Sequence, residues 1–211
     1  MIFSLASTLF ALVSVALAAP SLSSRAVAAP TNFTISSLGY SGTGCPSGTA
    51  HYVLSNDRTK VDVVFDRLYA EAGPGIAANS NRRNCALTFG VNVPPGFTFG
   101  VASVGYKGFY KLDSAVTANQ QSLYYFQSQI NQATARSTLT GPIGGAEYSY
   151  RDSFDLVSTV LSPCGASTVL IVNSEVRVSN SGNTKGYGYI ATDTLDTSLT
   201  QTLNFQWQTC K

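Results

Sequence analysis

The stretch Leu199-Thr200-Gln201-Thr202-Leu203-Asn204-Phe205-Gln206-Trp207-Gln208 decides the fold. Leu199, Leu203, Phe205 and Trp207 fall on one parity, and Thr200, Thr202, Asn204, Gln206 and Gln208 on the other. Side chains alternate between the faces of a strand, so this pattern predicts a strand with one face buried and one in water. Trp207 shares the buried parity and is expected in the core.

The same period recurs upstream. Val61, Val63 and Phe65 alternate with Asp62, Val64 and Asp66, and Leu87, Phe89, Val91 and Val93 with Ala86, Thr88, Gly90 and Asn92. Phe97, Phe99 and Val101 follow the turn tripeptide Pro94-Pro95-Gly96, which argues for a hairpin. Further strands are expected over Thr34–Tyr40, Ala50–Leu54, Gly105–Lys111, Leu123–Ile130, Ala146–Phe154, Thr168–Val178 and Gly186–Ala191. Turn residues separate them at Gly42-Thr43-Gly44, Ser55-Asn56-Asp57, Gly141 to Gly145 and Ser179 to Asn183. Helical periodicity is scarce, and Ala70 to Ala78 reads as a long loop holding one short turn. The expected fold is all-β: a single-domain antiparallel β-sandwich or jelly roll.

Residues 2–19 form an uncharged apolar run ending in Ala16-Leu17-Ala18. A membrane-spanning helix would read similarly, but Ser4, Ser7, Thr8 and Ser14 interrupt the run and its end carries an A-x-A cleavage pattern. The expectation is a signal peptide over 1–18, a short pro-segment or disordered arm over 19–32, and a secreted domain over 33–211. The mature chain is expected to be extracellular, with no membrane span and no lipid anchor after Cys210.

All four cysteines lie beyond the leader, as disulfides in an exported chain would. Four cysteines allow three pairings. The expected bridges are Cys45–Cys85 and Cys164–Cys210, each kept within one half of the chain and each stabilising by about 4 kcal/mol in the chain-entropy model. Spacings this wide carry no zinc signature.

Several short strings follow one another here: Gly44-Cys45-Pro46, Phe65 near an Ala-Gly-Pro-Gly loop, Arg83-Asn84-Cys85, Pro95-Gly96, Ser162-Pro163-Cys164-Gly165 and Trp207-Gln208-Thr209-Cys210. In this order, over about residues 33–211, they resemble a family of fungal secreted four-cysteine proteins catalogued as a domain of unknown function (number 4360). The resemblance implies a secreted β protein of fungal type. It implies no reaction, ligand or catalytic residue.

Only 11% of residues are charged and the net charge is +2. With no basic cluster beyond the pair Arg82-Arg83, read as a solvated loop, nucleic acid is not an expected partner. Nucleophile–histidine hydrolysis needs an imidazole, and the chain offers only His51, in a strand and without a G-x-S-x-G elbow. One histidine also disfavours zinc, copper and iron sites, and no cofactor is expected.

Glycosidases need only two carboxylates. The candidates are Asp62 with Asp66, Glu147 with Asp152 and Asp155, and Asp193 with Asp196. Members of one strand stand too far apart, so a working pair would have to come from different strands. Loop oxygens at Asp193 and Asp196, or at Asp57 and Asn56, could meet calcium, but no EF-hand pattern is present. No catalytic residue is assigned.

Asn32-Phe33-Thr34 is an N-glycosylation sequon near the start of the domain. The tyrosines are the most suggestive polar material: Tyr106, Tyr110, Tyr124, Tyr125 and the pairs Tyr148/Tyr150 and Tyr187/Tyr189. Each pair has period 2 and therefore shares one sheet face. Such rings could stack on sugars or meet a protein, and Tyr148, Tyr150, Tyr187 and Tyr189 are the candidate ligand-binding residues. The alternative is edge packing with hydroxyls in water.

The leading expectation is a non-catalytic extracellular module, associated with the cell wall, that binds wall polysaccharide or a cell-surface protein. The alternatives are a carbohydrate-active enzyme using two carboxylates and a secreted effector or antigen that binds a foreign protein.

Overall fold

The computed structural model describes residues 26–154, 160–191 and 199–211. The expected signal peptide, Asp155, Asp193 and Asp196 lie outside them. Two antiparallel sheets face each other. In chain order the strands are β1 (Thr34–Ser41), β2 (Ala50–Leu54), β3 (Lys60–Phe65), β4 (Ala70–Ala72), β5 (Arg82–Asn92), β6 (Phe97–Leu112), β7 (Thr117–Phe126), β8 (Gln132–Thr140), β9 (Ile143–Ser153), β10 (Ser167–Ser179), β11 (Gly188–Ala191) and β12 (Leu199–Thr209). One sheet has the order β1-β5-β10-β7-β8. The second runs β2-β3-β12-β6, with β9 along the far side of β6. There β11 and β12 lie end to end on the same side of β6, pairing Phe109–Leu112 and Phe97–Lys107, and β4 borders β11.

This is the β-sandwich expected from the alternation, and both expected disulfides are present. Leu203, Phe205 and Trp207 face inward from β12 and are buried. Around Phe99, the rings of Phe33, Phe126, Phe205 and Trp207 lie 4.9 to 5.3 Å away, mostly edge to face. Such packing adds to the area each ring removes from water.

The sequence misplaces some boundaries. Phe97–Leu112 is one strand, with a register irregularity against β12 at Asn204/Phe205. The strand expected over Leu123–Ile130 is centred earlier, on β7, and Ile130 is fully exposed. Ala70–Ala72 is a short strand rather than loop. Over β8 the sequence carries little signal, because its inner residues are Ala133, Ala135, Ser137 and Leu139. Arg82-Arg83 opens β5; Arg82 pairs with Glu175 at 2.6 Å, and Arg83 sits over the Tyr69 ring. Ahead of β1, Val27 donates its amide to the Trp207 carbonyl at 3.0 Å, so this part of the expected arm lies against β12.

Polar residues cross the interior between the sheets. Gln201 of β12, fully buried, donates to Ser122 Oγ at 2.8 Å and accepts from Ser174 Oγ at 2.5 Å. Buried amides need partners, and this one has them on both β7 and β10.

Candidate functional site

The two tyrosine pairs occupy different faces. Tyr148 and Tyr150 point inward from β9, level with Gly108 and Tyr106 of β6. Tyr148 is half-buried and donates to Gln120 Oε1 at 2.9 Å, across the gap between the sheets. Tyr150 donates to Asp152 at 2.5 Å and stacks on Tyr106. Tyr110 lies 5.2 Å from Tyr148. Burial raises the hydroxyl pKa of Tyr106, Tyr148 and Tyr150, and Asp152 adds to the shift at Tyr150. The Tyr106 hydroxyl, near Ser122, is buried and among the described residues has no hydrogen-bond partner of good geometry.

Tyr187 and Tyr189 stand on the outer face of the second sheet, at the end where the β6–β7 and β10–β11 loops meet. Tyr187 is 52% exposed. Its ring lies across Gly73, where an added Cβ would stand 2.3 Å from ring carbon Cδ1. Its hydroxyl donates to the Pro74 carbonyl at 3.2 Å. Its backbone is held by Asp113, whose carboxylate accepts from the Tyr187 amide at 2.8 Å and whose amide donates to the Tyr187 carbonyl at 2.9 Å. Tyr189 faces Tyr69 at 6.2 Å.

Between the two rings is a cleft of about 150 Å³ with Glu71, Ile76, Lys111 and Asp113 in its walls. Past Lys111 and Asp113 it adjoins a more open hollow of about 310 Å³ reaching Ile143, Asn183 and Lys185. A ring pinned at both ends beside carboxylates and an ammonium offers an apolar plate and directional hydrogen-bonding groups. That combination suits a polar ligand with one apolar face.

Of the expected carboxylates, those among the described residues, Asp62, Asp66, Glu147 and Asp152, do not line this cleft. Asp62 faces outward from β3, accepts from Lys60 Nζ at 3.0 Å and Thr202 Oγ1 at 2.5 Å, and pairs with neither Asp66 nor a second acid. Burial opposes its ionisation, but Thr202, Lys60 and Lys107 together hold its pKa below the ordinary value. Asp66 lies 3.7 Å from His51, on an exposed surface. Glu147 and Asp152 point to opposite faces of β9. Asp57 closes a turn, accepting from Ser55 and Thr59, while the Asn56 carbonyl accepts from Arg58. Among the described residues no three His, Cys, Asp or Glu side chains gather as metal ligands. Asn32 is exposed.

Sequence reasoning missed Glu71, Gly73, Lys111 and Asp113. The Gly73-Pro74-Gly75 turn was visible, but nothing local ties it to a tyrosine more than a hundred residues away.

Fold, bridges and site together define a small disulfide-stapled β-sandwich with an aromatic cleft at one end. The chain belongs to the family described as Domain of unknown function (DUF4360), which matches residues 31–210. It is 40% identical over 171 residues to an uncharacterized secreted protein of Arthroderma benhamiae, covering 81% of this chain and 69% of the relative. Among solved structures it overlaps TmCBM61 in complex with beta-1,4-galactotriose (13% identity, TM-score 0.27, 83% of this chain and 90% of the other). It also overlaps a family 11 carbohydrate-binding module from Clostridium thermocellum in complex with a beta-1,3-1,4-mixed-linked tetrasaccharide (7% identity, TM-score 0.24, 84% and 91%). At these TM-scores the likeness carries no information on ligand. Among the described residues no helix is long and apolar enough to cross a membrane.

Proposed function

We propose that the protein is an extracellular, non-catalytic module that binds polysaccharide through the cleft between Tyr187 and Tyr189. The observation that carries this reading is the pinned, half-exposed ring of Tyr187 beside Glu71, Lys111 and Asp113. An aromatic plate covers the C–H face of a sugar ring, while carboxylate and ammonium groups take its hydroxyls. Two disulfides and a relative described as secreted support the extracellular address. Wall association, glycosylation at Asn32 and removal of residues 1–18 belong to the same proposal.

The test is a pull-down of the secreted protein on insoluble chitin, β-glucan and whole fungal walls, with reducing-sugar release followed in parallel. Binding without release, lost in Tyr187→Ala with the thermal midpoint kept, is the expected result. Retention of no polymer would overturn it.

One observation favours a second reading, a carbohydrate-active enzyme. Glu71 and Asp113 come from different elements and line one cleft. Sugar release abolished by Glu71→Gln would establish that reading instead. Among the described residues the exposed large apolar side chains Val53, Ile130 and Tyr187 lie on β2, in the β7–β8 loop and in the β10–β11 loop, so the protein-binding alternative gains no support from a shared patch there.

A further inference from the structure

The outer face that carries Tyr189 continues along β6 to a second hollow, of about 360 Å³, over Gly105. Four strands meet there in register: Asp62, Thr202, Gly105 and Arg151 form one row across β3, β12, β6 and β9. In the next row Lys107 stands beside Thr200 and Ser149. Lys60, Lys107 and Arg151 border the hollow, together with Ser149, Thr202 and Asn204.

Among the described residues nothing requires glycine at 105. Its backbone is not in the left-handed region, and an added Cβ would come no closer than 3.6 Å to any atom, at Thr202 Cβ, an ordinary contact. Gly39, Gly90 and Gly188 differ, because an added Cβ there would come within 2.5 Å of a neighbouring atom. A glycine inside a strand is unfavourable by about 0.5–1 kcal/mol relative to alanine. A glycine inside a strand marks a bulge, a sharp bend or a close approach by a ligand or another backbone, and the pairing of Gly105 with Thr202 and Arg151 is regular on both sides.

The charge around the hollow is unbalanced. Its nearby carboxylate, Asp62, already has both oxygens engaged by Lys60 and Thr202. Arg151 donates Nε to Ser103 Oγ at 2.7 Å, which orients the guanidinium, and among the described residues its terminal nitrogens face no acceptor. Among the described residues neither Arg151 nor Lys107 is in an ion pair. A fixed guanidinium beside an ammonium suits a carboxylate.

We propose that the hollow over Gly105 is a subsite for an acidic sugar, whose carboxylate meets Arg151 and Lys107 while its ring lies over the bare backbone of Gly105. Lys107 and Lys111 are separated by about 13 Å along β6, so the subsite and the Tyr187 cleft lie on one track that a single extended glycan can follow. The inference rests on the reading that the chain binds glycans, and it adds the ligand class: an acidic polysaccharide rather than a neutral one.

The experiment is titration calorimetry of the full secreted protein with polygalacturonate and with a soluble neutral β-glucan, at low and high salt. Wild type is expected to prefer polygalacturonate by about tenfold or more at low salt, and the preference should shrink as salt screens it. Gly105→Val fills the hollow and should lose about tenfold in polygalacturonate affinity with the thermal midpoint kept or raised. Lys107→Gln with Arg151→Gln removes the charge without filling the space and should abolish the preference while leaving neutral-glucan binding alone.

Equal binding of both polymers without salt dependence overturns the subsite and leaves the polysaccharide reading intact. Wild-type affinity in Gly105→Val and in the double variant also overturns it. Should Tyr187→Ala bind polygalacturonate normally while Gly105→Val does not, the subsite stands and the cleft reading fails.

Discussion

The ring of Tyr150 lies on the ring of Tyr106, with centroids 5.3 Å apart and planes inclined by 17°. Two cross-strand neighbours of β9 and β6 thus bury each other's faces on the inside of the sandwich. Burial raises the hydroxyl pKa of both, and of Tyr148, and brings Tyr124 up to about 12. A raised folded-state pKa stabilises the fold below the unfolded value near 10 and loses that contribution as pH climbs past it. Tyrosinate absorbance from these four should therefore rise in an alkaline titration only as the fold opens, in step with loss of the circular dichroism signal.

Tyr148→Phe keeps the ring and removes the hydroxyl that reaches Gln120. The Gln120 oxygen, on a buried side chain, loses its donor. The expected loss is about 1 kcal/mol in urea unfolding. Polymer binding, if it resides at Tyr187, stays unchanged.

Gly73→Ala places a methyl group 2.3 Å from the Cδ1 carbon of the Tyr187 ring. The ring must leave its seat, and the hydroxyl its bond to Pro74. Polysaccharide retention should fall about as far as in Tyr187→Ala, roughly tenfold or more, the scale of one lost stacking contact with its fixed orientation. Thermal denaturation should move little, because the displaced ring is more than half exposed.

How much of this could be read beforehand depends on how local the cause is. The parity of Leu203, Phe205 and Trp207 is a property of five consecutive residues, and it correctly placed all three in the core. The shared face of Tyr148 and Tyr150 was equally legible. Which face it is was not, because both sides of β9 carry polar residues and only the β6 pairing orients it. The row Asp62-Thr202-Gly105-Arg151 joins positions up to 140 residues apart, so the cations around the hollow, Lys60, Lys107 and Arg151, look scattered in the sequence and gather only in the sheet. Asp113 and Tyr187 meet across 74 residues for the same reason.

At acid pH the turn between β2 and β3 gives a defined signature. Hydrogen bonds from Ser55 and Thr59 lower the Asp57 pKa to about 2. A depressed carboxylate stabilises the fold above its unfolded pKa, near 3.8, and loses that contribution as pH falls through its folded value. Thermal midpoints of wild type and Asp57→Asn should therefore differ at pH 5 and converge as pH falls from about 4 to about 2.

The bridge Cys164–Cys210 ties the segment before β10, in one sheet, to the end of β12, in the other. Its cysteines are 46 residues apart, a loop whose closure is worth about 4 kcal/mol. Replacing both cysteines by alanine should lower unfolding stability by about 2–4 kcal/mol, measured by chemical denaturation. Mild reduction of the wild type should reproduce the shift.

Gln201 occupies the apolar parity of its strand, and that has a consequence for how the halves of the sandwich find each other. A strand slipped by two residues still points every apolar side chain inward, so oiliness alone does not distinguish the native alignment from its neighbours. Gln201 does. One pleat away, its amide would lose Ser122 and Ser174, and each buried polar group left alone costs about 1–3 kcal/mol. The amide works as an indexing pin: among several alignments that bury equal apolar surface, it admits one.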